Sequence, residues 1–525
     1  MKLPESVATS IDYDGTVEAE LNAQNRFLPP AWGDRALRNR STEVASWLRS
    51  ALRRDLRPDA DDTVMARKSG GGARPLTYMT LLDRLAFRAA VGGIADVVDL
   101  SARTDESYNA FVHAPLSVDG CRYILKTDIA AFYQYIDHEL LIDEVVTQTG
   151  EDLAVTFAVE VLRGARGRRF GLPQMTEPSD VLGEIYIAPM YSALIRSGFN
   201  TARFADDFRI ACGSYNEALE AREVAERAAL ELGLVLNETK TTIPGLRTYS
   251  QSLAEVEVAE SELFGALAGD SFDVDFGYND AESLEDENLW SLGESGAGFV
   301  DDEVDSRDDE ATPDESPQEV QVEAARLAVD IWLADEEESA IGSQWSPHVR
   351  STLLRKALKV LARANDPWAL KCATAMLVTE PHLTPQVCNY MRALMHSDRR
   401  AVMTAINKAT RRQIVGVWQS VWISYCAGDF SPRRGGENHD HVKWLNGQMQ
   451  SEHGTLAAEA TLALAKRGLA NREDVIGVLG RVPAVHRPPV VMALGLLGGT
   501  ATAASAGDTQ IERWQAEWAA RHWGR

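Results

Sequence analysis

Residues 204–208 read FADDF, two aspartates side by side between apolar, β-prone flanks. Thr201–Ala205 and Phe208–Cys212 suit two short strands, and Asp-Asp suits the tight turn between them. Adjacent like charges are costly to bury unless a cation or a partner offsets them. A second strand is predicted in RYILKTDIAAFYQYI (122–136), where Tyr123–Ile129 are mostly apolar but interrupted by Lys126 and Asp128. If this strand lies beside the hairpin, Asp128 joins Asp206 and Asp207 at one sheet end. Three carboxylates form an oxygen-rich site suited to Mg²⁺, with Mn²⁺ as the alternative. Two such ions about 4 Å apart can activate a 3′-hydroxyl and stabilise a departing pyrophosphate. Directly after the hairpin, Ser214 with Glu217 three residues on predicts a helix start. Leu219, Val224, Ala225, Ala228 and Leu232 are expected to face the hairpin, giving an α+β layer.

The formal net charge of −25 over 525 residues argues at first against a nucleic-acid partner. Its distribution reverses that. Residues 270–319 hold 19 Asp and Glu against one Arg, leaving only about −7 for the rest of the chain. Residues 34–74 are locally basic, with ten Arg and Lys against six acids. The five cysteines are scattered and form no CxxC pair, which fits a reducing cytoplasm and no zinc site. No apolar run is long enough to span a membrane, and the N-terminus lacks the apolar stretch of a signal peptide. The pattern predicts helices and loops over 1–120, alternating strands and helices over 121–266, an acidic linker or insertion over 267–320, and an α-helical, repeat-like domain over 321–525.

These motifs carry a resemblance. TDIAAFYQYI resembles motif A of reverse transcriptases, and FADDF resembles motif C, with Phe204 at the usual tyrosine. GLPQMTEPSDVLGEIYI (171–187) resembles motif B, and LGLVLNETKT (232–241) resembles motif D. The order is that of the family. The resemblance implies a right-hand polymerase with fingers and palm, RNA-directed DNA synthesis, and an RNA template and dNTPs as partners. It implies that Asp128 and Asp206 bind metal, with Asp207 as a less direct third acid and Ile129 offering a backbone carbonyl. It casts Tyr133 as the ring that crowds a ribose 2′-hydroxyl, and Gln174 as a contact near the incoming base. Lys240 becomes the acid that protonates pyrophosphate. Ser179 matches a small hydroxyl residue that often opens the motif B helix. Met175 departs from the pattern, since many relatives have glycine there. In ARKSGGGARPLTYMTLLDRLAFRAAV (66–91), which resembles the fingers, Lys68 and Arg74 flank a glycine-rich turn suited to closing on triphosphate, with Arg67 as a substitute for Lys68. Arg163, Arg166, Arg168 and Arg169, in RGARGRRF (163–170), are placed to bind template phosphates.

The helical region after the palm resembles, in architecture alone, the abortive-infection and unknown-group bacterial reverse transcriptases that act in phage defence. That implies a non-coding RNA partner in some members, homo-oligomers, and a DNA product attached to a protein hydroxyl. Tyr390 and Tyr425 are candidates for that hydroxyl, and RRAVMTAINKATRR (399–412) for a nucleic-acid surface. RGGENH (434–439) carries an Arg-x4-His spacing reminiscent of some ribonucleases. Two other readings remain open: a template-independent DNA polymerase or terminal nucleotidyl transferase on the same fold, and a non-catalytic RNA-binding scaffold.

Overall fold

The structure is a computed structural model that describes residues 1–95, 105–264, 317–334, 345–411, 416–430, 439–506 and 509–524. Almost all of the acidic segment lies outside the described residues, as do RGGEN (434–438) and Arg412. The chain divides into two compact units. One comprises residues 1–66, 73–252 and 445–525, and the other 67–72 and 253–444.

The first unit holds all five described strands except the last residue of β1. β1 (Asp62–Arg67) and β2 (Ala73–Tyr78) form a two-stranded ribbon. β3 (Tyr123–Asp128), β4 (Asn200–Phe204) and β5 (Asp207–Cys212) form a three-stranded antiparallel sheet in the order β3-β5-β4. The register matches Tyr123 with Cys212 at one end of the β3–β5 pair and Asp128 with Asp207 at the other. Beyond β3, residues 236–245 continue the sheet through isolated bridges, Ile129 to Leu236, Lys126 to Thr242 and Tyr123 to Gly245.

Side chains alternate across the pleat. Leu125, Ile129, Phe208, Ile210 and Cys212 enter the main core with Val181, Leu182, Ile185 and Tyr186 of helix Glu177–Arg196. The opposite face carries Lys126, Asp128, Asp207 and Arg209. Helix Tyr215–Glu231 begins where expected, with the Ser214 hydroxyl accepting from the Glu217 N–H at 3.1 Å. Ala225, Ala228 and Leu232 of the expected face are buried and Val224 packs on the core, whereas Leu219 is exposed; Ala218, Ala221 and Ala229 complete the buried stripe. A stripe of methyl groups lets the helix come close to its neighbours, and close packing sets the buried side here more than residue size does.

The single helical domain expected over 321–525 is divided. Every described element from residue 317 onward is a helix. Residues 445–525, however, belong with the N-terminal region. Trp32 packs edge-on to Trp523 at 4.9 Å and near Trp518 at 6.3 Å. Gln515 donates to the Gly33 carbonyl at 3.2 Å. His486 Nε2 lies 2.7 Å from Asp62 Oδ2, the first residue of β1, and 3.0 Å from the Thr455 hydroxyl. Burial of these aromatic surfaces and pairing of the buried polar groups tie the C-terminal helices to this unit.

In the second unit, helices Pro317–Leu333, Pro347–Arg363, Thr384–Ala393, Arg399–Arg411 and Val417–Gly428 surround a core that includes Trp418, Trp422 and Tyr390. No helix among the described residues is long and apolar enough to cross a membrane.

Candidate active site at the end of the sheet

The turn joining β4 to β5 has two residues, Ala205 and Asp206, between Phe204 and Asp207, which are themselves paired. Ala205 is left-handed at φ 51°, the twist that a two-residue hairpin requires. The residue facing Asp128 across the ladder is Asp207, and opposed residues point to the same face. Asp206 is anchored through its carbonyl, which accepts the Ile129 N–H at 3.2 Å. Residues 78 positions apart in sequence thus meet at one sheet end.

Each carboxylate has its own surroundings. Asp128 is nearly buried, and its Oδ2 lies 3.0 Å from Lys240 Nζ and accepts from Asn237 Nδ2 at 3.1 Å. Asn237 also donates its N–H to the Asp128 carbonyl at 2.7 Å. Its own carbonyl accepts the N–H groups of Lys240 and Thr241, which makes the turn that delivers the ammonium. Asp207 Oδ1 lies 3.6 Å from Arg209 Nη1, which also donates to the Phe208 carbonyl at 2.9 Å. The Arg209 guanidinium stacks over Phe111 at 4.9 Å. Tyr108 and Phe111 pack on Phe204, at 5.1 and 5.9 Å, so aromatic rings cover this flank.

The field at the site is negative. Burial, and then the charges of Asp128 and Asp207, push the Asp206 carboxyl up to about 7. Burial also raises Asp207, against the pull of Arg209. For Lys240, burial works against the ammonium, but Asp128, Asp207 and Asp206 outweigh it and the net shift is upward. Lys240 therefore carries its proton at neutral pH. Lys126 is shifted down by burial and by Arg209.

Among the described residues, no group of three or more His, Cys, Asp and Glu stands at the spacing of a formed metal site. Asp207 is turned onto Arg209, and Asp128 onto Lys240 and Asn237. The donors suit a hard divalent ion: they are carboxylate oxygens that the strand register and the turn bring to one sheet end.

Tyr133 follows Asp128 by five residues, and its hydroxyl donates to Asp180 Oδ1 at 2.6 Å. Gln174 is half-buried, and its Oε1 is buried without a hydrogen-bond partner. Next to it, Met175 is left-handed at φ 62°. That explains why glycine suits this position: glycine adopts such a φ without strain and methionine does not. Ser179 is fully buried and its hydroxyl accepts from Thr176 at 2.9 Å, so it braces the helix start.

The basic residues separate into different roles. Arg166 departs from its expected part in phosphate binding. Its side chain is almost wholly buried, with Nε 3.0 Å from Asp61 Oδ2 and Nη2 donating to the Thr77 hydroxyl at 3.3 Å. It braces the base of the β1–β2 ribbon. Arg163 pairs with Glu139 at 2.6 Å. Arg168 and Arg169 are exposed, with Arg168 over the Phe170 ring at 5.6 Å. Arg74 lies over the Phe27 ring at 4.5 Å. Lys68 sits at the ribbon tip, its N–H donating to the Gly72 carbonyl at 2.9 Å, and that tip belongs to the second unit.

Two residues at the site escaped the sequence reading. Arg209 had a signal, a guanidinium inside an apolar strand. Asn237 had a weaker one, an Asn three residues before the motif D lysine.

In the second unit, neither candidate priming tyrosine is accessible. Tyr390 is fully buried, donating to the Asp366 carbonyl at 2.7 Å and accepting from the Ala369 N–H at 3.1 Å. Tyr425 is buried with its ring 4.3 Å from the Arg392 guanidinium. On the basic helix Arg399–Arg411, Arg400, Lys408 and Arg411 are exposed, and Arg411 is paired with Asp440 at 2.5 Å.

Comparison with known proteins agrees with this geometry. Residues 66–249 match the family model described as Reverse transcriptase (RNA-dependent DNA polymerase), about a third of the chain. The chain therefore carries a reverse transcriptase domain, and the sheet with its acidic end lies inside it. No curated protein matches the sequence. Among solved structures, telomerase from Candida albicans in complex with the TWJ fragment of telomeric RNA aligns over 74% of this chain and 64% of its own, so that this chain covers less than two thirds of it. The TM-score is 0.28 and the identity 10%, and nothing further is drawn from that likeness.

Proposed function

We propose that the protein is an RNA-directed DNA polymerase whose reaction takes place at the acidic end of the β3–β5 pair. The observation that carries this reading is the register of Asp128 against Asp207, with Asp206 in the adjoining turn, inside the matched domain.

In this reading Asp128 and Asp206 hold the divalent ions, Mg²⁺ or Mn²⁺, with the Ile129 carbonyl beside them. Asp207 contributes charge while Arg209 holds its carboxylate. The chemistry such ions supply is activation of the primer 3′-hydroxyl and neutralisation of the leaving pyrophosphate. Lys240, protonated and within 3.0 Å of Asp128, donates the proton that pyrophosphate takes up. Tyr133 stands under the sugar of the incoming dNTP, and Gln174, whose Oε1 has no hydrogen-bond partner, meets its base or the template. Lys68 and Arg74 meet the triphosphate. Arg163, Arg168 and Arg169 meet template phosphates; Arg166, which is interior, does not.

The reverse transcriptase domain followed by helices supports a defence-associated role. Tyr390 and Tyr425 are both buried, so neither is proposed as a primer hydroxyl. The test is incorporation of dNTPs on an RNA template with Mg²⁺. Asp206→Asn is expected to lower the rate on the order of 10³-fold. Wild-type-like incorporation by that variant would overturn the assignment. A product unrelated to the template would instead favour terminal transfer.

A further inference from the structure

One helix holds Tyr133 in two separate ways. The short hydrogen bond from its hydroxyl to Asp180 Oδ1, at 2.6 Å, is of the charge-assisted kind. One turn further along helix Glu177–Arg196, Gly183 lies under the aromatic pair. A Cβ at residue 183 would stand 3.3 Å from Tyr133 Cε1, 3.6 Å from its Oη and 3.2 Å from Phe132 Cε1. Glycine inside a helix is destabilising relative to alanine, so helix propensity does not account for it. Close approach of the ring does. Phe132 in turn packs edge-on to Tyr133 at 5.1 Å and is itself buried.

We propose that Asp180 and Gly183 are positioning residues that set the choice of sugar: Asp180 ties the Tyr133 hydroxyl and Gly183 seats its ring. This rests on reading Tyr133 as the group beneath the incoming sugar. A ring fixed at its hydroxyl and held close at Cε1 cannot turn aside, so a ribose 2′-oxygen meets a rigid wall. A ring released from Asp180 can tilt and admit that oxygen.

The ring alone and the anchored ring make different predictions for Tyr133→Phe, which keeps the ring and removes the hydroxyl. Incorporation of a single dCTP or CTP by the full chain, read as the ratio of the two kcat/KM values, separates them. With the anchor, Tyr133→Phe and Asp180→Ala each lower discrimination against CTP about tenfold. In a Tyr133→Ala background, neither Asp180→Ala nor Gly183→Ala changes the ratio further, because both act through the ring. If Tyr133→Phe and Asp180→Ala keep the wild-type ratio while Tyr133→Ala lowers it, the sugar gate stands and the anchor falls. If Tyr133→Ala itself leaves the ratio unchanged, the reading of Tyr133 fails. Loss of all incorporation by Asp180→Ala through misfolding leaves Tyr133→Phe, which keeps the core packing, to decide.

Discussion

The sheet-end site and the helical second unit treat awkward residues in opposite ways. Among the described residues, four non-glycines have a left-handed backbone: Ala131, Met175, Ala205 and Asn365. The one in the helical unit is asparagine, which tolerates that conformation. The three in the reverse transcriptase domain are alanine, methionine and alanine, and they adjoin the residues assigned to chemistry: Tyr133, Gln174 and Asp206. Charges divide in the same way. In the helical unit Arg392 pairs with Asp429 at 2.5 Å and Arg326 with Asp366 at 2.5 Å, one cation to one acid. At the sheet end three acids share one small region, and burial, then the charges of Asp128 and Asp207, raises the proton affinity of Asp206. Strain and unbalanced charge are the marks of a site selected for something other than stability.

This contrast can be tested from both sides. Lys240→Ala removes a proposed proton donor and should slow incorporation about 100-fold, with a smaller loss in Lys240→Arg. Single-turnover kinetics would show it, and an equal loss in dNTP affinity alone would assign Lys240 to binding. Tyr390→Phe strands the Ala369 N–H and the Asp366 carbonyl inside the helical unit. It should lower stability by about 2 kcal/mol in a denaturant titration. DNA synthesis per folded molecule should not change, and loss of initiation in a stable variant would restore Tyr390 as a primer candidate. Met175→Gly should relieve the left-handed strain and stabilise the first unit by about 1 kcal/mol. A fall in its thermal midpoint would show that the methionine side chain contributes more by packing than its backbone costs.

The acids were legible in the sequence because nothing in ordinary packing explains them. Two aspartates in a turn between apolar strands, and a third ending another strand, call for an electrostatic partner wherever the strands pair. The partners were less legible. Arg209 follows Asp207 by two on β5, so the pleat puts both on one face, but only the sheet end makes that face a site. Asn237 reaches Asp128 through a turn 109 residues downstream, which no local pattern shows. Arg166 looked like one of a solvated basic run. Only the position of Asp61, ahead of β1, makes it interior. On helix Tyr215–Glu231 only Leu219 of the expected face is exposed, its place taken by the smaller Ala218 and Ala221. The division at residue 445 was hidden because no local pattern around Trp518 and Trp523 shows that Trp32, nearly 500 residues away, packs against them.

The central claim is that Asp128 and Asp206 share a divalent ion. Titration of Mn²⁺ into the full chain, followed by electron paramagnetic resonance, reads this without any reaction. The wild-type protein should bind, and Asp128→Asn and Asp206→Asn should each weaken binding at least about tenfold, with the double variant little worse than either. Binding that survives unchanged in both single variants would contradict the account.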